Sequence, residues 1–246
     1  AVYKQPLDRD DLVIYHRRGV KPKFYVYSNA SSKGSVVDEG SLKPAVPFRF
    51  QKVRFDDFAD GSKIEVFSCL AGNANYVKKL HLQENIMWTQ GPCNYLVYLN
   101  DRLLGCLTIC PGKHSFGGLS PRETLYVLSD TCVTRYGRAS KLLALLASSR
   151  AVVKHAQSIC MRGYECSAVT TTVRSNMPAS MKYRGIYKLV SRSEMGDEDR
   201  SGAKYKIIYG REQDDRTFQE IYDDWFRRYF KDDRQRKVGT SYAAKS

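Results

Sequence analysis

The stretch Thr134-Arg135-Tyr136-Gly137-Arg138-Ala139-Ser140 leads into the most strongly patterned helical segment of the chain. Small residues at 137 and 139 let several backbone N–H groups converge on an anion at a helix start. Arg138 and Lys141 add side-chain charge to the helix dipole. That chemistry is phosphate binding, although a tight strand-to-helix turn asks for Gly on geometric grounds alone. Two carboxylates, Glu123 and Asp130, stand at opposite ends of one β-rich run. Each is a candidate proton acceptor, and each also suits a strand-end hydrogen bond or a helix-entry charge.

The elements that must position these residues follow from periodicity. Asn75 to Gln83 suits a short helix. Tyr95 to Leu99 and Leu103 to Ile109 read as a hairpin joined by Asn100-Asp101, residues that tolerate the positive φ of a tight turn. A third strand spans Glu123 to Ser129. Leu142, Leu145, Leu146, Val152, Val153 and Ala156 then share one stripe of a long helix, with Ser149 its single polar member. A strand from Ser167 to Val173 leads into a short helix from Asn176 to Tyr183, where Pro178 fits the first turn. Strands near Ile186 to Val190 and Tyr205 to Tyr209 follow. A last amphipathic helix carries Phe218, Ile221, Tyr222, Trp225 and Tyr229. The N-terminal part holds short β-rich runs at Phe24 to Tyr27, Phe48 to Phe55 and Ile64 to Phe67. The pattern divides the chain into an N-terminal extension over 1–71, an α/β core over 72–212 and a C-terminal helix and tail over 213–246.

Charge points to the partner. In 246 residues, 40 Lys and Arg against 26 Asp and Glu leave a net +14, and such a field gathers polyanions. The cations are dispersed through patterned segments, with Arg174, Lys182, Arg184, Lys188 and Arg192 as one group, so no tail carries the charge. Lys78, Lys79, Arg174, Lys182 and Arg184 are the candidate nucleic-acid contacts. Seven cysteines lack the density of a disulfide scaffold and read as reduced thiols packed in a core. Cys106 and Cys110 lack the Cys-x-x-Cys spacing of a zinc site, and His16, His81, His114 and His155 share no ligand spacing. Pro111-Gly112-Lys113-His114-Ser115 has the Gly-Lys pair of a P-loop. Leu107 stands where that loop needs Gly, so the stretch reads as a turn. The most apolar run, Leu142 to Val153, is interrupted by Arg150, and no apolar leader opens the chain. A cytoplasmic protein is expected.

The order of elements resembles the GNAT superfamily of acyl-CoA transferases: a meander, a phosphate-type loop, a long helix, a strand, then Asn-x-x-Ala-x-x-x-Tyr followed closely by Gly. In that family the loop reads Gln or Arg, two residues, Gly, one residue, Gly or Ala, and holds the pyrophosphate of acetyl-CoA. Thr134, Gly137 and Ala139 match its spacing, with Thr134 at the first position. Asn176, Ala179 and Tyr183 match the second motif, where the family's Asn contacts the cofactor arm and its Tyr acts as general acid. The resemblance implies a mixed sheet flanked by helices, an acetyl-CoA or other acyl-CoA donor held by residues 134–140 and Asn176, and Tyr183 as acid.

A narrower resemblance is to the Mom-type proteins of bacteriophages, which modify adenine in DNA and defeat restriction. Asn75 to Leu80 resembles their entry helix, Glu123 to Val127 their Glu-Leu-Ser-Arg strand, and Lys182 to Gly185 their Tyr-Arg segment. Asn75 replaces a His of that family, Tyr126 an Arg, and Thr172 or Val173 an Asp, so no metal site is expected. Tyr76 carries over as a further candidate catalytic residue, able to stack a base. Trp88 reads as a core residue. The resemblance implies acyl transfer to a base of duplex DNA. An ordinary GNAT acetyltransferase acting on a protein, RNA or small amine, and an inactive nucleic-acid-binding module, stand as alternatives.

Overall fold

The computed structural model describes residues 13–17, 24–28, 51–81, 90–134, 136, 138–196 and 202–231. Arg135, Gly137 and Trp88 lie outside the described residues. Strands β1 (Val13–Arg17) and β2 (Phe24–Ser28) pair with each other as a separate two-stranded sheet.

The main sheet is mixed and seven-stranded. Its strands are β3 (Ile64–Ser68), β4 (Cys93–Leu99), β5 (Arg102–Pro111), β6 (Thr124–Cys132), β7 (Ala168–Ser175), β8 (Lys188–Glu194) and β9 (Tyr205–Glu212), in the order β3-β4-β5-β6-β7-β9-β8. All pairings are antiparallel except β6 with β7. Asn100 and Asp101 turn the β4–β5 hairpin at φ of 48° and 62°, the left-handed pair that a two-residue loop requires. The sheet takes its edge strand β3 from the segment read as an N-terminal extension. The expected run from Phe48 contributes only a bridge from Lys52 to Leu103 and a short turn at Phe55–Asp57 among its described residues.

Helix α1 (Ala71–His81) covers one face, where Ala74 and Val77 pack on Leu96, Tyr98, Leu103 and Cys106. The other face carries the larger core. Leu142, Leu143, Leu146, Val152, Val153 and Ala156 lie there against Val97, Leu107, Val127 and Val169, and α4 (Phe218–Trp225) closes it with Ile221, Tyr222 and Trp225. Thr217 and Glu220 form a reciprocal cap at the start of α4.

Two helical expectations fail, and for local reasons. The long helix after residue 138 is two helices, α2 (Ala139–Ala147) and α3 (Arg150–Cys160). Between them the Ser148 and Ser149 hydroxyls turn back onto the Leu145 and Leu146 carbonyls at 2.8 and 2.7 Å. Ser149 is extended, and the Asp214 backbone takes the Arg150 N–H and donates to the Ser148 carbonyl. Serine offers the backbone this alternative, and a strand-like partner fixes it. The segment from Asn176 to Tyr183 is a series of bends and turns rather than a helix. Asn176 Oδ1 accepts from the Lys204 N–H, the Ser180 N–H donates to the Tyr209 hydroxyl, and Arg192 donates to the Pro178 carbonyl. Tyr209 and Arg192 thereby take two backbone groups that a helix would have used.

Candidate active site

Strands β6 and β7 pair only from Thr124 to Tyr126 and from Ala168 to Thr170. Beyond that they part. On its other edge β6 stays paired with β5 as far as Cys132, and the register skips Leu128 between Ser129 and Val127. This bulge bends β6 away from β7 and frees its β7-facing edge.

Asp130 lies on that freed stretch, with 11% of its side chain exposed. Its Oδ2 accepts the Tyr183 hydroxyl at 2.8 Å, and Lys182 Nζ reaches Oδ1 at 2.6 Å and the Asp130 carbonyl at 2.9 Å. The phenol is buried, stacked on Tyr209 at 5.4 Å and edge-on to Tyr187 at 5.2 Å. Burial, then the Asp130 charge, push its pKa well above the ordinary tyrosine value, so the hydroxyl is protonated at neutral pH. Thr171 lies at the vertex beside Tyr183, its hydroxyl donating to the Val127 carbonyl at 2.9 Å. The two consecutive residues Lys182 and Tyr183 thus both converge on one carboxylate. A single turn in which Arg184, Ile186 and Tyr187 close back on Ser180 and Tyr183 holds them there.

The loop before α2 is built differently from its sequence reading. The Tyr136 ring lies inside an aromatic cluster of Phe55, Phe58, Trp225 and Phe230, and its hydroxyl donates to the Tyr229 carbonyl at 3.1 Å. Tyr136 is therefore a packing residue, its ring turned from any ligand by the apolar contact it makes with α4. Trp225 Nε1 donates to the Arg138 carbonyl at 3.0 Å and anchors the start of α2. The Ala139 N–H is committed to the Tyr136 carbonyl, and Ala139 itself is buried. Thr134 accepts from the Tyr136 N–H. Arg138 and Ser140 are half-buried at the helix start beside Lys141, whose ammonium donates to the Arg184 carbonyl at 2.5 Å. Burial and the Arg138 and Arg184 charges lower the Lys141 pKa.

Other expected residues scatter. Glu123 sits at the far end of β6, where it caps the turn at Ser120 and is fully exposed, remote from Asp130. Tyr76 is half-buried against the α1-side core. Lys78 is fully buried on the sheet-facing side of α1 and so cannot meet a nucleic acid, whereas Lys79, one residue on, is exposed. Arg174 and Arg184 are exposed, while Lys182 belongs to the Asp130 centre. Asn176 ties two loops together through Lys204. Sequence reasoning missed Thr171 and Tyr209, because only the tertiary pairing of β7 with β9 brings Thr171 and Tyr209 together under Tyr183.

Among the described residues no three His, Cys, Asp or Glu side chains gather at one point, and no helix is long and apolar enough to cross a membrane. The family described as "Phage GNAT-like domain" matches residues 61–230, which takes in the whole seven-stranded sheet and α4. The chain belongs to that family. No curated protein matches this phage GNAT-like chain. Its likenesses among solved structures are distant. They include the Salmonella typhimurium protein yncA with its cofactor acetyl-CoA, at 10% identity and a TM-score of 0.40 over 63% of this chain and 96% of that one. The ribosomal-protein-S18-alanine N-acetyltransferase of Escherichia coli is similar at 13% identity and a TM-score of 0.39, over 63% and 97%. An N-acetyltransferase from Staphylococcus aureus is similar at 14% and 0.37, over 62% and 100%.

Proposed function

We propose that this phage GNAT-like protein is an acyl-CoA-dependent N-acyltransferase whose acceptor is an exocyclic amine of a base in DNA. The observation that carries the reading is the meeting of Asp130, Tyr183 and Lys182 at the point where β6 and β7 part.

The residues present fit an acyl-CoA in two respects. The β7-facing edge of β6 beyond Tyr126 is unpaired by β7 and can take strand-like hydrogen bonds from an amide-containing arm. Arg138 and Lys141 at the start of α2 suit a pyrophosphate. Adjustment is required at two carbonyls of this edge, since that of Val127 accepts from Thr171 and that of Asp130 from Lys182. When bound, the donor supplies an acyl group already activated as a thioester.

The chain's own residues handle the proton. Asp130 Oδ2 is placed to take up the proton that an attacking amine sheds, and Tyr183 shares that oxygen across a 2.8 Å hydrogen bond. Because its phenol is protonated at neutral pH, Tyr183 can give its proton to the departing thiolate and be restored from Asp130, so the proton shed by the amine ends on the free thiol. Lys182 fixes the carboxylate's orientation through its second oxygen and offsets its charge. The net +14 of the chain supports a polyanionic acceptor over a small neutral amine.

The test is transfer in vitro. Purified protein, acetyl-CoA and duplex DNA are incubated, and the digested nucleosides are weighed by mass spectrometry. A base heavier by one acetyl group is expected. Unmodified DNA alongside acetylated peptides or small amines would place the protein with the conventional acetyltransferases. No transfer to any amine, with DNA still bound, would leave a binding module.

A further inference from the structure

Beyond the β6–β7 gap one face of the sheet is covered at Gly210 by Phe116 and exposes Arg174, Lys188 and Lys206 around it. Residues opposite one another in register share a face, and those two apart return to it. Arg174 of β7 lies opposite Lys206 of β9, and Lys206 opposite Ser193 of β8. Two residues along, Thr172, Ile208 and Ser191 form the next row, followed by Thr170, Gly210 and Lys188. Tyr126, paired with Thr170, continues this face onto β6. The turn after β5 lays two more groups across it: His114 Nε2 meets Thr172 Oγ1 at 3.1 Å, and Lys113 Nζ stands 4.6 Å from the centre of the Tyr126 ring.

Among the described residues this face carries mainly cations. Like charges directly opposite on neighbouring strands are destabilising, yet Arg174 faces Lys206. Both are exposed, as is Lys113, and among the described residues neither Lys113 nor Lys206 is in an ion pair. Burial, then the Lys206 and Lys113 charges, hold the His114 pKa below its usual value. The β9 carboxylate of this face, Glu212, sits at the far end and is engaged by Lys188 at 3.0 Å.

We infer that this face, through Lys113, Arg174 and Lys206 with the His114 and Thr172 polar groups between them, docks the phosphate backbone of duplex DNA. The inference rests on the reading of DNA as acceptor and deepens it by naming the surface. Neither the Gly-Lys turn nor β9 stood out as a ligand contact in the sequence; strand register brings them together. Thr171, between Thr170 and Thr172, points to the opposite face, where it reaches Val127 and Tyr183. The platform and the Asp130 centre therefore lie on opposite faces of the same β7 residues, beside the gap. A base extruded from a duplex held on the platform reaches Asp130 through that gap, opposite the side of α2 and its phosphate-type loop.

The experiment measures duplex DNA affinity of the full chain against salt. Each phosphate that the protein no longer neutralises lowers the slope of log K on log salt by about 0.9, so Lys113→Gln with Lys206→Gln should lower it by about 1.8. Lys113→Arg with Lys206→Arg should restore it. Arg150→Gln with Lys154→Gln removes two charges from α3 on the other layer, and the slope should then stay at wild type. Equal reductions in both Gln pairs, or none in the platform pair while wild type binds, overturns the platform and leaves DNA as acceptor. Wild-type protein with no salt-dependent DNA binding overturns both. Vesicles rich in phosphatidylserine are the further arm, and a platform pair that loses vesicle binding but keeps DNA binding overturns the assignment in favour of a membrane surface.

Discussion

The Tyr183 hydroxyl donates to Asp130 Oδ2 at 2.8 Å across the vertex where β6 and β7 separate. A buried phenol facing a carboxylate is a proton pair, and Lys182 on the second oxygen keeps that carboxylate aimed. Tyr183→Phe removes one hydroxyl and no charge. Transfer should fall by roughly 10²- to 10⁴-fold, while the DNA salt slope stays unchanged. Stability should drop by about 1.5–3 kcal/mol, the range for a hydrogen bond to a charged group. Single-turnover rates and urea unfolding of the same preparation check both. Wild-type transfer in the Phe variant would remove Tyr183 from the chemistry.

Asp130→Asn separates the carboxylate's charge from its shape. The amide can still meet Tyr183 and Lys182, but it cannot take up a proton at neutral pH. The expected result is a loss in kcat at least as large as for Tyr183→Phe, with acetyl-CoA affinity kept within a few-fold. A variant with normal kcat would shift the acceptor role elsewhere, and Glu123 is too remote to inherit it, capping Ser120 at the far end of β6.

Asp214 predicts a pH dependence of stability. It is buried and hydrogen-bonded by Arg216 and Arg211, which, with the Arg216 bond the larger cause, hold its pKa down at about 2 from an ordinary 3.8. A depressed carboxylate contributes stability that is present above its unfolded pKa and lost as pH falls through the folded one. The contribution, on the order of 2 kcal/mol, is therefore complete above pH 5 and fades between about pH 4 and pH 2. Asp214→Asn should be less stable than wild type at pH 7, and the gap should close as the acid limb is entered. A gap that is constant with pH would show that the Arg211–Asp214–Arg216 cluster acts through packing alone.

Cys160 should be the first cysteine to react. A hydrogen bond from Cys93 lowers its pKa, whereas burial raises Cys106 to about 12 and Cys132 and Cys166 to about 11. Thiolate fraction and access set alkylation rate, and Cys160 is only half-buried at the end of α3. Iodoacetamide at pH 7.5 followed by peptide mass mapping should find Cys160 labelled ahead of the rest. Cys93→Ala should slow that labelling, because the donor that favours the thiolate is gone.

Much of this architecture is legible in the sequence. Asn100-Asp101 announces its hairpin because only a few residues accept two positive φ values in succession. The apolar stripe from Leu142 to Ala156 announces the helical layer, and the resemblance to the GNAT Asn-x-x-Ala-x-x-x-Tyr motif picks out Tyr183, which meets Asp130. The helix break at Ser148-Ser149 is not legible, since the deciding partner, Asp214, comes from a distant strand end. Nor is the burial of Lys78, which follows from the face α1 turns to the sheet. The cation platform needs the registers of three strand pairs at once. Local propensity fixes elements well and long-range partnership poorly, and most of the site is made of partnership.

Tyr136 separates these two levels. By sequence it belongs to a cofactor loop; by structure its ring is core and its hydroxyl holds the Tyr229 carbonyl at 3.1 Å. If packing is its role, Tyr136→Phe should cost only about 0.5–1.5 kcal/mol of stability for the missing hydrogen bond, and acetyl-CoA affinity should not change. Tyr136→Ala should cost about 3–5 kcal/mol, as for other large aromatic truncations, because Phe55, Phe58, Trp225 and Phe230 all pack on its ring. Arg138→Gln should do the reverse, leaving the unfolding midpoint near wild type while weakening acetyl-CoA several-fold through the loss of a cation at the helix start. Urea unfolding and a thermal-shift titration with acetyl-CoA measure the two quantities separately. Weakened acetyl-CoA binding in Tyr136→Phe at unchanged stability would return Tyr136 to the ligand.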